Sequence, residues 1–228
     1  MKYVIIGLGV FGSSLAEKLT RSGNEVMGVD CKMSSVDALK EKVTHTICLD
    51  STDPQAVTSL PLKDTDIVMV CIGEDEGANI MATALMKKMN VKRLISRAVS
   101  PLHQTVLEAM GVDEIVHPEE ETADRWAKKL SMKGVVNSLE LSGDYSIIEA
   151  TVPKKYVGKK LFELDFRKKF NVVVLTTIKV SMGQNSLGLP KRMHHVRDVA
   201  SAGTILNEDD LMVLYGNIKD IGQLLKED

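Results

Sequence analysis

A glycine-rich segment near the start of the chain has the spacing of a nucleotide-binding loop. An apolar run at residues 3–6 leads into GLGVFG at residues 7–12, and a helical pattern follows. In such a loop the first glycine permits a tight turn, the second admits a pyrophosphate to the backbone, and the third lets the helix pack closely on the strand. The helix N-terminus then stabilises the phosphate charge. The predicted phosphate-binding residues are Gly7, Gly9, Val10, Phe11 and Gly12.

An acidic residue follows at the position where a ribose ligand is expected. A second apolar run at residues 25–29 ends in Asp30, eighteen residues after Gly12. A carboxylate at this spacing accepts hydrogen bonds from ribose hydroxyls. We therefore predict that Asp30 binds the ribose, and that NAD(H) or an adenine nucleotide binds better than NADP(H), whose 2′-phosphate the carboxylate repels.

Further candidate ligands follow the other predicted strands. Asp50 and Ser51 come after the third strand on the predicted adenine side, where a turn role and ligand contact are equally favoured. Asp53 and Glu76 are predicted as helix N-caps. Arg97 ends the fifth strand, where its charge suits either a phosphate or an acidic neighbour. Two more residues, after the fourth strand, are predicted to line the nucleotide site: Ile72 and Gly73.

Groups suited to acid–base catalysis are few. His194 and His195 lie in a basic stretch typical of a solvated loop, and His117 precedes a glutamate-rich helix start whose acids suit the helix dipole. A dehydrogenase normally needs a positioned acid or base in a substrate domain. The sequence therefore predicts a protein that is not an enzyme, with a small NAD-dependent oxidoreductase as the alternative.

The elements that must position these residues alternate between strand and helix patterns over residues 1–134. Apolar runs predict six parallel strands, at 2–6, 25–29, 45–49, 66–72, 93–97 and 114–117. Helices are predicted most clearly at 13–21, 78–89, 101–110 and 119–132. This pattern predicts an α/β domain with a doubly wound parallel sheet of the Rossmann type, whose ligand lies along the carboxyl ends of the strands.

A change of pattern after residue 134 predicts a second domain. Alternating apolar segments predict strands at 135–141, 145–152, 171–179 and 211–215. Helices are predicted at 160–170 and 218–226, and the stretch at 181–203, rich in Gly, Ser, His and basic residues, is predicted to be a loop. We therefore predict a small α+β domain at 135–228.

The overall composition excludes several classes of protein. The 228 residues carry 29 Lys and Arg against 31 Asp and Glu, so no net basic charge draws the chain to nucleic acid. A signal peptide and a membrane-spanning apolar run are both lacking, which predicts a cytoplasmic location. Cys31, Cys48 and Cys71 lie in or at the ends of apolar runs, which favours small buried hydrophobic residues over a redox or metal role.

Several segments together resemble one family. They are GLGVFG with Asp30, LDSTD, VMVCIGEDE, IVHPEEETA and, in the second domain, LFELDFRKKFNVVVL. Over nearly its whole length the chain is similar to the regulator of K+ conductance (RCK) proteins, the cytosolic subunits of bacterial Ktr/Trk potassium uptake systems, with a TrkA-N-like and a TrkA-C-like domain. The resemblance implies no catalysis. It implies a ring of these chains at the inner face of the cell membrane, where nucleotide binding regulates a membrane-embedded potassium transporter subunit.

The resemblance also implies ligands. The loop glycines, Asp30 and the Asp50-Ser51 pair match the family's nucleotide site, which implies NAD(H) or an adenine nucleotide, ADP or ATP. Glu119 matches an acid that binds a divalent or monovalent cation at a dimer interface in some relatives. Arg167 matches an arginine that contacts cyclic di-AMP in others, with Phe166 and residues 172–174 as apolar walls.

Two positions depart from the family pattern. Val10 stands where many relatives carry an arginine, and Leu49 replaces a glycine that is common in the turn after the third strand. Both changes weaken the expected discrimination of ATP from ADP. A dinucleotide such as NAD(H) stays compatible with the loop.

An apolar stripe on the predicted 78–89 helix favours self-association. Its members follow helical spacing over a wider face than one core contact requires: Ile80, Met81, Ala84, Leu85 and Met89. We therefore expect a dimer at least, assembled further into a tetramer or an octamer.

Overall fold

The computed structural model describes residues 1–185 and 188–226, which form two units, Met1–Glu120 and Glu121–Asp228. The division falls inside a helix, Pro118–Ser131, that belongs in part to each unit. The predicted domain boundary at residue 134 follows the end of this helix and stays a prediction.

The first unit is built on a parallel sheet of six strands. They are β1 (Lys2–Ile6), β2 (Glu25–Asp30), β3 (His45–Cys48), β4 (Ile67–Val70), β5 (Leu94–Arg97) and β6 (Glu114–Val116). Their order across the sheet is β3-β2-β1-β4-β5-β6, and every neighbouring pair is parallel. The order reverses between β1 and β4, which makes their carboxyl ends the switch point where such sheets bind ligands.

Helices cover both faces of this sheet. They are α1 (Val10–Arg21), α2 (Met33–Leu39), α3 (Glu76–Lys88) and α4 (Pro101–Ala109), with short 3-10 helices at Ala56–Ser59 and Leu62–Asp64. A fifth helix, α5 (Pro118–Ser131), has no buried residue. Side chains alternate between the faces along each strand. Val4 and Ile6 of β1 pack with Met86 of α3, while Ile5 packs on the other face with Ala16 of α1. This arrangement confirms the predicted Rossmann-type fold.

The second unit is built on an antiparallel sheet of five strands. They are β7 (Val135–Ser142), β8 (Tyr145–Thr151), β9 (Val173–Gln184), β10 (Pro190–Val199) and β11 (Asp210–Asn217), in the order β10-β9-β11-β8-β7. The helical segments are the 3-10 turn Lys154–Tyr156, α6 (Leu161–Leu164), α7 (Phe166–Phe170) and α8 (Ile218–Lys226). Phe166 and Leu224 pack against Ile148 and Leu214 of the sheet. The predicted α+β class is confirmed.

Two predicted elements differ from the structure. The helix expected at 160–170 is two short helices, because Asp165 adopts a left-handed backbone with φ of 49°. The loop expected at 181–203 is largely the β9–β10 hairpin, although residues 186–187 lie outside the described residues.

The cysteines are buried to different degrees. Cys71 is buried, as predicted, Cys48 is partly buried, and Cys31 is exposed, so its predicted burial is wrong. Cys31 follows β2 immediately, outside the apolar run of the strand, and therefore lies beyond the part of the chain that the helices cover.

Candidate nucleotide site

The three glycines of the loop differ in what the surrounding backbone requires of them. Gly7 has φ of +93°, a conformation that side chains rarely adopt, and its N–H donates to the Val29 carbonyl oxygen at 2.8 Å. A Cβ at Gly12 would collide with the Gly7 carbonyl oxygen. Loop closure therefore requires glycine at both positions.

Gly9 differs because the protein itself does not require a glycine there. Its φ is −65°, and a Cβ built on it would meet no atom of the described residues within 4 Å. The space above Gly9 is thus open to a ligand that approaches the backbone closely. This is the role predicted for the second glycine of a phosphate-binding loop.

Helix α1 begins directly after Gly9, with Val10 as its first residue. Gly9 has no side chain to cap the first N–H groups, and the first turn carries no acidic residue. Val10 is 93 % exposed and brings no charge. The first turn therefore combines free N–H donors with the positive end of the helix dipole, which suits an anion.

Asp30 is held beside this loop by two backbone donors. Its Oδ2 accepts a hydrogen bond from Leu8 N at 2.7 Å, and its Oδ1 accepts one from Lys32 N at 2.8 Å. An ionised carboxylate accepts about four hydrogen bonds, so capacity for two ribose hydroxyls is left. The structure thus brings the predicted ribose acid to the predicted phosphate loop.

The end of β3 is organised as a turn. Asp50 Oδ1 accepts hydrogen bonds from Thr52 Oγ1 at 2.7 Å and Thr52 N at 2.8 Å, and these bonds lower the pKa of the carboxyl. Ser51 is buried. The turn role left open for Asp50 is therefore present, and its contact with adenine stays a prediction.

Two predicted helix caps are wrong in position. Asp75, one residue before Glu76, is the N-cap of α3, and its side chain accepts from Ala78 N at 2.9 Å. Asp53 accepts from Gln55 N at 2.8 Å, and Gln55 rather than Asp53 is the N-cap of the following 3-10 helix. Sequence spacing locates the start of a helix only to within a residue or two, so the folded backbone decides which residue is the N-cap.

Arg97 lies across the ends of β4 and β5. Its guanidinium forms an ion pair with Glu119 at the start of α5, and it lies 5.9 Å from the centre of the Phe11 ring. A Cβ at Gly73 would collide with it. The Arg97 side chain is only 16 % exposed, and its Nε has no hydrogen-bond partner among the described residues.

Arg97 thus pairs with an acidic neighbour, one of its two predicted partners, and its contact with a phosphate stays a prediction. The same pair bears on Glu119, because the guanidinium neutralises the carboxylate that was expected to bind a cation. The described residues contain no group of three His, Cys, Asp or Glu side chains that could hold a metal ion. Cation binding at Glu119 stays a prediction.

A buried polar network supports the same edge of the sheet and was not predicted. Asn79 of α3 donates through Nδ2 to the carbonyl oxygens of Ile72, at 2.8 Å, and Arg97, at 3.1 Å. Its Oδ1 accepts from Ser96 Oγ at 3.0 Å and Thr83 Oγ1 at 3.3 Å. Asn79 thereby ties the ends of β4 and β5 together. A lone Asn inside an apolar helix pattern is the only sequence signal for it.

Cys71, beside this network, is held as a neutral thiol. Burial raises its pKa to about 12, and the nearby Arg97 charge opposes that rise only in part. A thiol in this state is a poor nucleophile and a poor metal ligand. The prediction that Cys71 acts as a small hydrophobic residue is consistent with this environment.

The second unit places its candidate residues differently. Arg167 is exposed on α7, whereas Phe166 is buried in the core with its ring 4.8 Å from that of Tyr156. Val172 is also buried in this core. Phe166 and Val172 are thus core residues, and their predicted role as walls of an exposed ligand site is not seen in this structure.

The fold and the loop define a Rossmann-type nucleotide-binding unit followed by a small α+β unit. Residues 3–118 match the TrkA-N domain family, and the chain belongs to that family. It is 30 % identical over 225 residues to Ktr system potassium uptake protein C of Bacillus subtilis, covering 99 % of this chain and 96 % of the relative. It is 33 % identical over 225 residues to Ktr system potassium uptake protein A of Vibrio alginolyticus, with the same coverage.

Solved structures share the fold. The chain matches a structure described as the GsuK RCK domain with a TM-score of 0.67 at 15 % identity, covering 99 % of this chain and 48 % of that one. A second match, described as the GsuK channel bound to NAD, has a TM-score of 0.64 at 16 % identity and covers 100 % of this chain and 40 % of that one. These matches, together with the Ktr relatives, confirm the RCK resemblance. In the part of the chain that the structure describes, no helix is long and apolar enough to cross a membrane.

Proposed function

We propose that this protein is a nucleotide-binding regulatory subunit of a potassium uptake system. It acts at the inner face of the cell membrane, where it binds a membrane-embedded Trk/Ktr-type potassium transporter subunit. Its similarity to Ktr potassium uptake proteins over 99 % of the chain supports this role. The observation that best supports nucleotide binding is the open space above Gly9, beside the first turn of α1 and the Asp30 carboxylate.

The proposed ligand is NAD(H) or an adenine nucleotide. The phosphates lie over Gly9 at the start of α1, and the ribose hydroxyls donate to Asp30. One solved relative by fold is described as bound to NAD and another as bound to ADP. We propose that this site binds its ligand without turning it over, in keeping with the few groups suited to acid–base catalysis in the sequence.

Regulation requires that the ligand favours one of two conformations. We propose that the Arg97–Glu119 ion pair is the element that responds. A phosphate beside Phe11 competes with Glu119 for the guanidinium, and a change of partner alters the charge at the start of α5. Because α5 belongs to both units, we propose that a change at its start transmits the effect of nucleotide binding beyond the first unit.

Self-association completes the proposed role. Met81 and Met89 of α3 are exposed, as are Trp126 and Leu130 of α5. We propose that the α3 surface mediates a dimer, which assembles further into a tetrameric or octameric ring. Two additional ligands follow from the family: a cation at Glu119 in such an interface, and cyclic di-AMP near the exposed Arg167.

The experiment that tests the nucleotide site is calorimetry on a Gly9→Val variant. A Cβ at Gly9 meets no described atom within 4 Å, so we expect the fold to persist while the Val side chain occupies the space of the phosphates and NADH, ADP and ATP lose their binding. Gly203→Val is the matched control, because Gly203 lies in the second unit and its Cβ would meet only Ser201 Oγ, at 4.0 Å. Wild-type affinity of Gly9→Val for all three nucleotides would contradict the site.

A further inference from the structure

The basic residues of this chain are unevenly distributed. Residues 166–197 contain no Asp or Glu and seven Lys or Arg, while the formal charge of the whole chain is −2. This segment therefore carries +7 and the rest of the chain −9. The segment comprises α7, β9 and nearly all of β10. This segment is therefore strongly cationic in a chain whose remainder has a net negative charge.

Part of this cationic segment is a two-stranded ribbon, in which β9 and β10 pair only with each other. β9 pairs with β11 only as far as Lys179, which lies opposite Asp210. Beyond that point β9 pairs with β10 alone, from His194 opposite Val180 to Pro190 opposite Gln184. We call residues 180–184 and 190–194, together with His195 and Val196 at the base of the ribbon, the arm. Every residue of β10 is exposed.

The arm combines cationic side chains with exposed aliphatic ones. Met182, directly opposite Arg192, is 69 % exposed, and Val196 is 68 % exposed. Lys191 and His195 lie on the other face of the ribbon. A two-stranded ribbon is only marginally stable alone in water. Exposed apolar residues that share one face of such a ribbon therefore indicate a surface that is covered by a partner molecule or a membrane.

The composition of the arm distinguishes between anionic partners. Single-stranded nucleic acid is bound mainly through large aromatic side chains that stack on bases, and the sequence has no Phe, Tyr or Trp between Phe170 and Tyr215. Aliphatic and methionine side chains flanked by Lys and Arg suit the boundary between lipid headgroups and acyl chains, where long cationic side chains keep their charge among the phosphates.

We propose that the arm docks on the surface of an anionic lipid bilayer. Arg192 binds headgroup phosphates on the face that it shares with Met182 and Val196, which enter the boundary region. Lys191 reaches headgroup phosphates from the other face of the ribbon through its long side chain. This inference goes beyond the proposed function and does not depend on nucleotide binding. It gives the protein its own contact with the membrane, in addition to any contact with a transporter subunit.

The test is co-sedimentation of the full chain with vesicles. Wild-type protein binds vesicles of equal parts phosphatidylcholine and phosphatidylglycerol, binds pure phosphatidylcholine vesicles at least tenfold more weakly, and is released by salt. Lys191→Glu with Arg192→Glu weakens binding to the anionic vesicles on the order of tenfold or more. The matched control is Lys63→Glu with Lys18→Glu, which changes the net charge equally at two exposed lysines of the first unit and leaves binding within about twofold.

Two further measurements separate the proposal from misfolding and from other partners. A Met182→Ser variant keeps the charge and weakens vesicle binding, while calorimetry with NADH confirms that each variant retains the nucleotide site. Equal binding to neutral and anionic vesicles, or wild-type binding by the Lys191→Glu, Arg192→Glu variant, would overturn the proposal. Binding to single-stranded DNA without binding to anionic vesicles would overturn it as well.

Discussion

The two sheets of this protein are covered differently. Helices pack on both faces of the parallel sheet in the first unit, and all four residues of β4 are buried. In the second unit the helices pack on one face only. On the other face, residues that lie opposite one another across four strands form a row: Leu139, Ile147, Tyr215 and Val173. Leu139 is 60 % exposed and Tyr215 38 % exposed.

This difference shows how each unit is specified. In the first unit, burial on both faces fixes the strand ends, and the Asn79 network and the glycine contacts then fix the ligand edge. In the second unit, one face of the sheet is committed to the core and the other is free for partners. A site for a small ligand is favoured by strand ends that burial on both faces of the sheet holds in place. An interaction surface is favoured by a sheet face that helices leave uncovered.

The largest expected effect separates the two faces of the second sheet. Leu214→Ala removes a fully buried side chain and lowers the free energy of unfolding by about 3 kcal/mol. Tyr215→Ala, the next residue but on the exposed face, lowers it by about 1 kcal/mol or less in dilute protein. Urea unfolding of both variants measures the difference. Equal losses would show that the outer face is packed like the core.

A smaller effect concerns the ligand edge of the first unit. Arg97→Met leaves the apolar part of the side chain and removes its charge, and we expect phosphate-bearing nucleotides to bind about tenfold more weakly. Arg93→Met is the matched control, because Arg93 precedes β5 at its other end and pairs with Glu114 at 2.5 Å on the surface. Calorimetry with ADP and NADH compares them. Unchanged affinity in Arg97→Met would leave Arg97 a purely structural partner of Glu119.

The smallest effect is a pH dependence in the first unit. His103 of α4 is buried, and neither ring nitrogen has a hydrogen-bond partner within the described ranges. Loss of solvation lowers its pKa from 6.5, and the Glu76 charge opposes this only in part. The unfolded chain therefore takes up the proton first as pH falls, so stability is full above 6.5 and declines below it.

A His103→Gln variant tests this sign. Between about pH 7.5 and pH 5.5, its free energy of unfolding should fall less than that of the wild type, because the group that titrates differently in the two states is gone. Chemical unfolding at several pH values measures both. A steeper decline in the variant would show that protonated His103 is stabilised in the folded protein.

Much of the first unit could be predicted from the sequence, because buried parallel strands are continuous apolar runs and the glycine spacing is dictated by backbone sterics. All six strands and the meeting of Asp30 with the glycine loop follow from these rules. Helix α2 has a weaker sequence pattern than the other helices of this unit because it is only seven residues long and partly polar. Asn79 was missed because its partners are backbone carbonyls at two strand ends, which only the folded sheet brings together.

The second unit was harder to predict for a physical reason. Strand β10 is exposed on both faces, so its sequence lacks the alternation of apolar and polar residues that marks a half-buried strand. The turn at Asp165 was missed because a non-glycine residue with positive φ leaves little signal. The Arg97–Glu119 pair joins residues 22 positions apart, and local spacing cannot choose between a phosphate and this carboxylate.

The central claim is that a nucleotide at the glycine loop regulates potassium transport. The most direct measurement is potassium flux into vesicles that contain the membrane transporter subunit and either wild-type protein or Gly9→Val, with and without NADH, ADP or ATP. We predict that at least one nucleotide changes the flux with wild-type protein and that none changes it with Gly9→Val, while both proteins bind the transporter. A nucleotide response that persists in Gly9→Val, or a wild-type flux that no nucleotide alters, would contradict the account.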